Sequence, residues 1–270
     1  MTRIGVQKTL KMYVGGQFIR SESGHTLPVT GARGETMHAC KASRKDLRDT
    51  VQIAREAQPK WEARTAYNRG QIVYRLAEML EDRARSFPVR ARDVAAAADR
   101  AVHHAGWTDK IGAVLSTLNP VSTAYVNYSM VRPMGVIVVA PRAADGLLGL
   151  VEAACAPIVM GNAAILLVPA ELAELAAAFA EALATSDLPG GVVNLLTGDV
   201  PAVLDWADKH DDVDALYLVD GALTAERLTA SQVAAARTLR RVIVAPPAAA
   251  PADPIVLQRL AEIKTVWMSS

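Results

Sequence analysis

Residues 132–172 read RPMGVIVVAPRAADGLLGLVEAACAPIVMGNAAILLVPAEL, and this stretch decides the fold. VIVVA (136–140) is an unbroken apolar run of strand length, and a longer apolar stretch of helical length follows from near Leu147. Gly161-Asn162 closes that helix before a second strand-like run, AAILLV (163–168). The alternation continues through GVVNLL (191–196), ALYLV (215–219) and RRVIVA (240–245), with helices expected to begin near Glu171, Pro201 and Leu223. Strands with no polar face are covered on both sides, so the pattern predicts an α/β fold: a Rossmann-like, doubly wound parallel sheet between helical layers. No internal repeat is present.

Upstream, KMYVGGQFIRSESG (11–24) reads as a strand, a Gly15-Gly16 turn and a second strand. A helix is expected from about Ser43, with Ser43 as cap and Asp46 three residues on. A second spans roughly Thr65 to Phe87, with Ile72, Leu76, Met79 and Leu80 on one stripe, and Pro88 ends it. A third runs from about Asp93 to Ile111. TAYVNYSMV (123–131) alternates apolar and polar side chains, as a strand with one covered face does. The chain therefore divides into an N-terminal hairpin with helices (1–118), a strand arm (120–131) and a Rossmann-like core (132–245). A Pro/Ala loop with a short terminal helix or strand completes it (246–270).

With 270 residues, 51% of them hydrophobic, the chain can bury one large core. A net charge of +1 gives no broad field for nucleic acid or an acidic membrane. Cys40 and Cys155 are too few for a disulfide framework and fit a reducing compartment. The opening residues lack the apolar core of a secretion signal, and no apolar run approaches the length of about 18 residues that a membrane span needs. The expectation is a cytoplasmic protein with neither a membrane nor a nucleic-acid partner.

YVGGQFIRSESG, NRGQIVYRLAEML, GWTDKI, VRPMGV, MGN, DLPGGVVNLLTG, HDDVDALYL and LRRV occur in this order from Tyr13 to about Val244. In order and spacing they resemble the aldehyde dehydrogenase superfamily, whose cofactor domain carries P-x-G-V, P-W-N, G-N, K-P-S-E and P-P-G-V-V-N. The resemblance implies that superfamily's cofactor-domain fold, and a TAYVNYSMV strand like its oligomerisation arm. It is closest in kind to the degenerate, non-catalytic second domain of two-domain aldehyde dehydrogenases, which closes in a V-W segment similar to KTVWMSS.

The resemblance also implies where the chemistry should lie, and this chain departs from it there. The family's oxyanion-hole asparagine falls on Ala144, which has no amide to donate. The ribose-binding lysine falls on Leu167 (Val168 under a one-residue slip), and the ribose-binding acid on Ala170, with Glu171 adjacent but about 100° away on a helix. The phosphate-contacting turn corresponds to Leu218-Val219-Asp220-Gly221 with Ala225 in place of its last glycine, so Asp220 sets a carboxylate where an anion should sit. The general-base glutamate falls on Ala245. The nucleophilic cysteine lies on a family domain beyond the span of this sequence. Cys155 lies in an apolar run and reads as a core residue, and Cys40 as structural.

Other polar groups read as ordinary. His103 and His104 diverge on a helix, so one should be packed and one solvated, with no metal. His210, Asp211, Asp212 and Asp214 resemble the family's residues ahead of a strand. Arg83, Arg85, Arg90 and Arg92 lack the interleaved aromatics of a nucleic-acid site. Leu172, Leu175, Phe179 and Leu183 form a core stripe.

What the resemblance leaves is a scaffold and an edge. Tyr125, Val126, Tyr128 and Met130 offer apolar interface area on a strand whose backbone is expected to be unpaired. The reading that follows is a non-catalytic subunit, with no cofactor of its own. It would join a full-length aldehyde dehydrogenase subunit that holds NAD or NADP, or self-associate through the arm. Two alternatives stay open. The chain could contribute NAD(P) binding while a partner chain supplies the thiol, or the vacated crevice could serve a small regulatory ligand.

Overall fold

The computed structural model describes residues 8–122 and 124–269. In chain order the first strands are β1 (Thr9–Leu10), β2 (Met12–Val14), β3 (Gln17–Ile19), β4 (Thr26–Thr30) and β5 (Thr36–Cys40). Helices α1 (Arg44–Glu62), α2 (Ala66–Asp82), α3 (Ala91–Trp107) and α4 (Ile111–Leu115) follow. Then come β6 (Thr117–Asn119), β7 (Tyr125–Pro133), β8 (Val136–Ala140), α5 (Gly146–Val159), β9 (Ala163–Pro169), α6 (Ala173–Leu183) and β10 (Val193–Gly198). The chain continues through α7 (Val200–Ala207), β11 (Ala215–Val219), α8 (Ala225–Ala236), β12 (Arg241–Ala245), α9 (Pro254–Arg259) and β13 (Ala261–Ser269).

All five core strands expected from the apolar runs are present. They pair in parallel in the order β12-β11-β8-β9-β10, and the antiparallel hairpin β2-β3 extends the β10 edge. The second through fifth core strands thus lie on both sides of β8, and the winding reverses between β8 and β11. Alternation along each strand feeds two cores. Ile137 and Val139 face one with Leu76, Leu150, Phe179 and Tyr217, while Val136 and Val138 face the other with Leu47, Val51, Leu204 and Leu218. Leu175, Phe179 and Leu183 are buried as the helical stripe predicts, with Leu172 packed at the margin. The Ser43 cap carries the full reciprocal box with Asp46.

Three local differences have physical causes. Helix α2 stops at Asp82, short of Phe87, and a 3-10 turn at Ala84–Ser86 swings Phe87 into the core. Phe87 is extended (φ −78°, ψ 137°), as a residue preceding Pro88 prefers. Helix α3 ends at Trp107, where the Thr108 hydroxyl donates back to Ala105 O (2.8 Å). The small sheet β1-β5-β4 was not expected: its strands are short and Pro28 confines β4 to an edge.

The fourth difference concerns the arm. Strand β7 is expected to present an unpaired edge, but it is the central strand of a separate sheet, β13-β7-β6. Residues 261–269 pair with 125–133 along their whole length, and 117–119 pair with 127–129 on the other side. The terminal segment therefore closes over the arm, and the open edge passes from β7 to β13. Asn162 fixes the root of this arrangement. Its Oδ1 accepts from Met134 N (2.7 Å) and Gly135 N (3.0 Å), and its Nδ2 donates to Pro157 O (3.0 Å) and Leu260 O (2.9 Å).

Candidate functional site

A sheet of this winding binds ligands outside the carboxyl ends of its strands where the order reverses. A crevice of about 620 Å³ lies there. Arg142, Ala143 and Ala144 line it from the turn after β8, Pro169 and Glu171 from that after β9, Gly198, Asp199 and Val200 from that after β10, and Gly221 and Ala222 from that after β11. Ala144, the position the resemblance assigns to the oxyanion donor, lies at this rim, exposed on a 3-10 turn just ahead of α5. Its methyl group offers no donor to a developing oxyanion, a loss of roughly 10²–10³ in turnover where one such donor is removed.

The other expected positions scatter. Leu167 is 1% exposed and packs with Val200, Val203 and Leu218 in the core, so it faces no ligand. Val168 is likewise buried, in the opposite core. Ala170 packs against the small N-terminal sheet. Glu171 lines the crevice instead, because Ala170–Leu172 is a 3-10 turn and not the first turn of an α-helix. Ala245 is 2% exposed at the end of β12, where its carbonyl accepts Asp220 N (2.8 Å). Asp220, Gly221 and Ala225 are exposed on the rim after β11.

Several polar groups at this end are engaged within the chain. Arg142 donates through Nε (3.1 Å) and Nη2 (2.5 Å) to Asp145 Oδ1. The hydrogen bond to Asp145, with the Asp145 and Asp220 charges added, pushes the guanidinium above its usual range. Gly221 has φ +77°, and a Cβ there would meet Arg142 Cδ at 3.3 Å, so the arginine stem lies against the glycine turn. Helix α7 is capped by its own Asp199, which accepts Ala202 N (3.2 Å), and α8 by Thr224 with Glu226 in its first turn. Each cap satisfies one of the free N–H groups at its helix N-terminus.

Several of the groups that the resemblance assigns to NAD(P) are therefore replaced or engaged here. A dinucleotide needs free amides at a helix N-terminus, a ribose donor and room over the glycine turn. Here one amide each of α7 and α8 is capped, Leu167 is in the core, and among the described residues lining the crevice Arg142 is paired with Asp145, with Glu171 and Asp199 beside it.

Beside the crevice, the Pro/Ala loop straps the sheet end. Ala248 N donates to Asp145 Oδ2 (3.1 Å), and Arg100 Nη2 donates to Ala248 O (3.0 Å) and Ala250 O (3.4 Å). Arg100 and His104 on α3 both meet Glu152 Oε2 on α5, at 2.5 Å and 2.9 Å. Burial alone would raise the Glu152 carboxyl, but the hydrogen bonds and charges of His104 and Arg100 prevail and hold it at about 2. Nothing in the sequence pattern brings these three residues together. The one signal was an acid on the apolar run LVEAAC.

His104 is packed and His103 exposed, as expected of neighbours on one helix. Asp214 accepts from Val136 N (2.7 Å) and pairs with Arg55 (2.6 Å), an anchoring role ahead of β11. Burial pushes the Cys155 thiol far above its ordinary value, and Cys40 is also buried, so neither is an accessible nucleophile. Among the described residues no three His, Cys, Asp or Glu side chains gather as a metal site, and no helix is long and apolar enough to cross a membrane.

The fold and its crevice define a doubly wound dinucleotide-type domain with an appended strand arm. Its relatives make the assignment specific. The aldehyde dehydrogenase family profile matches residues 18–259, and the chain belongs to that family. The Bacillus subtilis (strain 168) protein DhaS, a putative aldehyde dehydrogenase by name, is 27% identical over 258 aligned residues, with 88% of this chain and 50% of DhaS covered. Among solved structures, the NAD-dependent aldehyde dehydrogenase from Sinorhizobium meliloti superposes with a TM-score of 0.79 at 19% identity, over 88% of this chain and 50% of that one. The NAD+ complex of the Bacillus cereus aldehyde dehydrogenase gives 0.77 at 22%, with 88% and 51% covered. The aldehyde dehydrogenase KauB from Pseudomonas aeruginosa gives 0.79 at 21%, with 89% and 51% covered. The chain thus spans about half the length of the relatives it matches.

Proposed function

We propose that this chain is a non-catalytic aldehyde dehydrogenase-like subunit, structural or regulatory in role, that assembles with a complete NAD(P)-dependent aldehyde dehydrogenase. The observation that carries the reading is the joint state of Ala144 and Ala245. Methyl groups stand at both counted positions, one on the crevice rim and one buried in the core. Aldehyde oxidation needs a thiolate, a base to release the acyl group and a donor to the oxyanion. Both cysteines of these 270 residues are buried away from the crevice lining.

In this reading NAD or NADP is held by the partner subunit, and the arm bearing Tyr125, Val126, Tyr128 and Met130 supplies the docking sheet. The setting is cytoplasmic, in keeping with two free, buried cysteines. The test is to purify the chain and assay it with NAD+ or NADP+ and a panel of aldehydes, then co-express it with a complete aldehyde dehydrogenase carrying an affinity tag. No turnover alone, with stoichiometric co-purification, is expected. Turnover by the isolated chain ends the proposal.

One observation favours a second reading: the crevice stays open despite its lost side chains. A chain that lends residual dinucleotide contacts to a partner's thiol would show micromolar NAD+ or NADP+ affinity by calorimetry. A flat titration, followed by a thermal shift with some other metabolite, would point to a small-ligand module.

A further inference from the structure

We propose that the cleft between the start of α1 and the end of α7 is a binding site for a small aromatic phosphate monoester. The site goes beyond the assembly reading and is independent of it. The cleft measures about 790 Å³, larger than the crevice at the strand ends, and the two share no lining residue. That volume lies in the range of small-molecule sites. Arg44, Lys45 and Arg48 line it from α1, and Trp206, Lys209 and His210 from the end of α7 and the turn beyond.

Four cations on this lining stand against two carboxylates, Glu22 and Asp205. Lys45 is held by Glu22 (3.4 Å) and Lys209 by Asp205 (2.7 Å), in exposed pairs worth little in water and open to an incoming anion. Arg48 donates through Nε (3.0 Å) and Nη2 (2.8 Å) to Asp49 Oδ1, so it serves mainly its own neighbour. The Arg44 side chain is exposed and makes no ion pair or hydrogen bond among the described residues, which leaves its guanidinium fork for a ligand.

A second donor is fixed by the fold. Asp212 N donates to His210 Nδ1 (3.2 Å), so the neutral ring carries its proton on Nε2, which has no partner among the described residues. Arg240 Nη2 anchors the same residue through His210 O (2.5 Å). Beside these donors the Trp206 indole is half-buried against the core that holds Leu47 and Leu204, and it gives the cleft a flat apolar wall. Donors gathered without a free acceptor select a ligand rich in acceptors. A phosphate monoester brings a charge of about −1.5 to −2 and three strong acceptor oxygens. A guanidinium fork, an imidazole N–H and an ammonium match those oxygens, and the indole suits a planar body at the other end. With a net charge of only +1, the chain lacks the wide basic surface that follows a polymer of phosphates.

The test is calorimetry and tryptophan fluorescence of the full chain with phenyl phosphate, set beside inorganic phosphate and phenol. Phenyl phosphate is expected to bind more tightly than inorganic phosphate by roughly tenfold, and phenol not at all. Binding should quench tryptophan emission, and that quenching should be absent in Trp206→Phe. Arg44→Glu should weaken phenyl phosphate by roughly tenfold or more, with unchanged melting because the side chain is exposed. His210→Ala should weaken it by a smaller factor. Absence of phenyl phosphate binding, affinity undiminished in Arg44→Glu, or phenol binding as tightly overturns the proposal. Inorganic phosphate binding as tightly as phenyl phosphate, or quenching that persists in Trp206→Phe, overturns the aromatic half of it. Affinity lost in Arg142→Ala but kept in Arg44→Glu would put the anion in the crevice and overturn it too. None of these measurements involves a partner enzyme, so co-purification with a complete aldehyde dehydrogenase still decides the assembly reading separately.

Discussion

The carboxyl end of the main sheet and the arm sheet stand at opposite extremes of polar satisfaction. At the first, Arg142, Asp145, Asp199 and Thr224 are each hydrogen-bonded to the chain's own atoms, and Arg100 ties the adjoining strap to Glu152. At the second, a nine-residue edge and three large apolar side chains face outward. A ligand site keeps unspent donors, and a docking strand keeps an unspent edge. On this contrast rests our proposal that the arm is the chain's recognition surface for a partner subunit.

Substitutions should separate the two ends, with stability lost at the closed end and association at the open one. The largest effect is expected from Leu167→Lys, which returns the family's residue to a position now in the core. An unpaired buried ammonium there should cost about 5 kcal/mol in urea unfolding. Intact stability with new NAD+ affinity would break the contrast. Glu152→Gln comes next, since it strands Arg100 and His104 without their carboxylate, at about 3 kcal/mol by the same measurement. The native Glu152 carboxyl is depressed, so its contribution is complete above the ordinary value of 4.5 and fades as pH falls toward about 2. Acid unfolding of the native chain should steepen through that window, and the variant should lose that component. Arg142→Ala removes a partly exposed pair and should lower the urea midpoint only slightly, with no change in a nucleotide titration. Trp267→Ala should shift melting least, by less than about 0.5 kcal/mol, while weakening any self-association seen by sedimentation.

The core strands were legible because each is an apolar run bounded by glycine or a helix cap. Their parallel pairing followed from the same alternation, and Ala144, the position reached by counting along the family resemblance, lines the crevice. What the sequence hid was contact across long separations. Nothing local in KTVWMSS says that it lies against Tyr125–Pro133, and this pairing moved the open edge from β7 to β13. The burial of Leu167 was equally hidden, because the sheet is covered on both faces there, with Leu167 in one core and Val168 in the other. Glu171 reached the crevice through a 3-10 turn, a detail of local winding that periodicity does not resolve.

The arm also has a history in time. Two of its strands lie early in the chain and the third at positions 261–269, joined at the root through the Asn162 amide to Leu260 O. While the chain is being synthesised, β6 and β7 can form only a two-stranded hairpin, which is marginal in water by itself. The body can complete its five-stranded core as soon as β12 has emerged, before the arm has a finished edge to offer. Until β13 arrives the long edge of β7 stays uncovered, so a chain that stalls short of residue 261 exposes an unpaired strand that the finished fold covers.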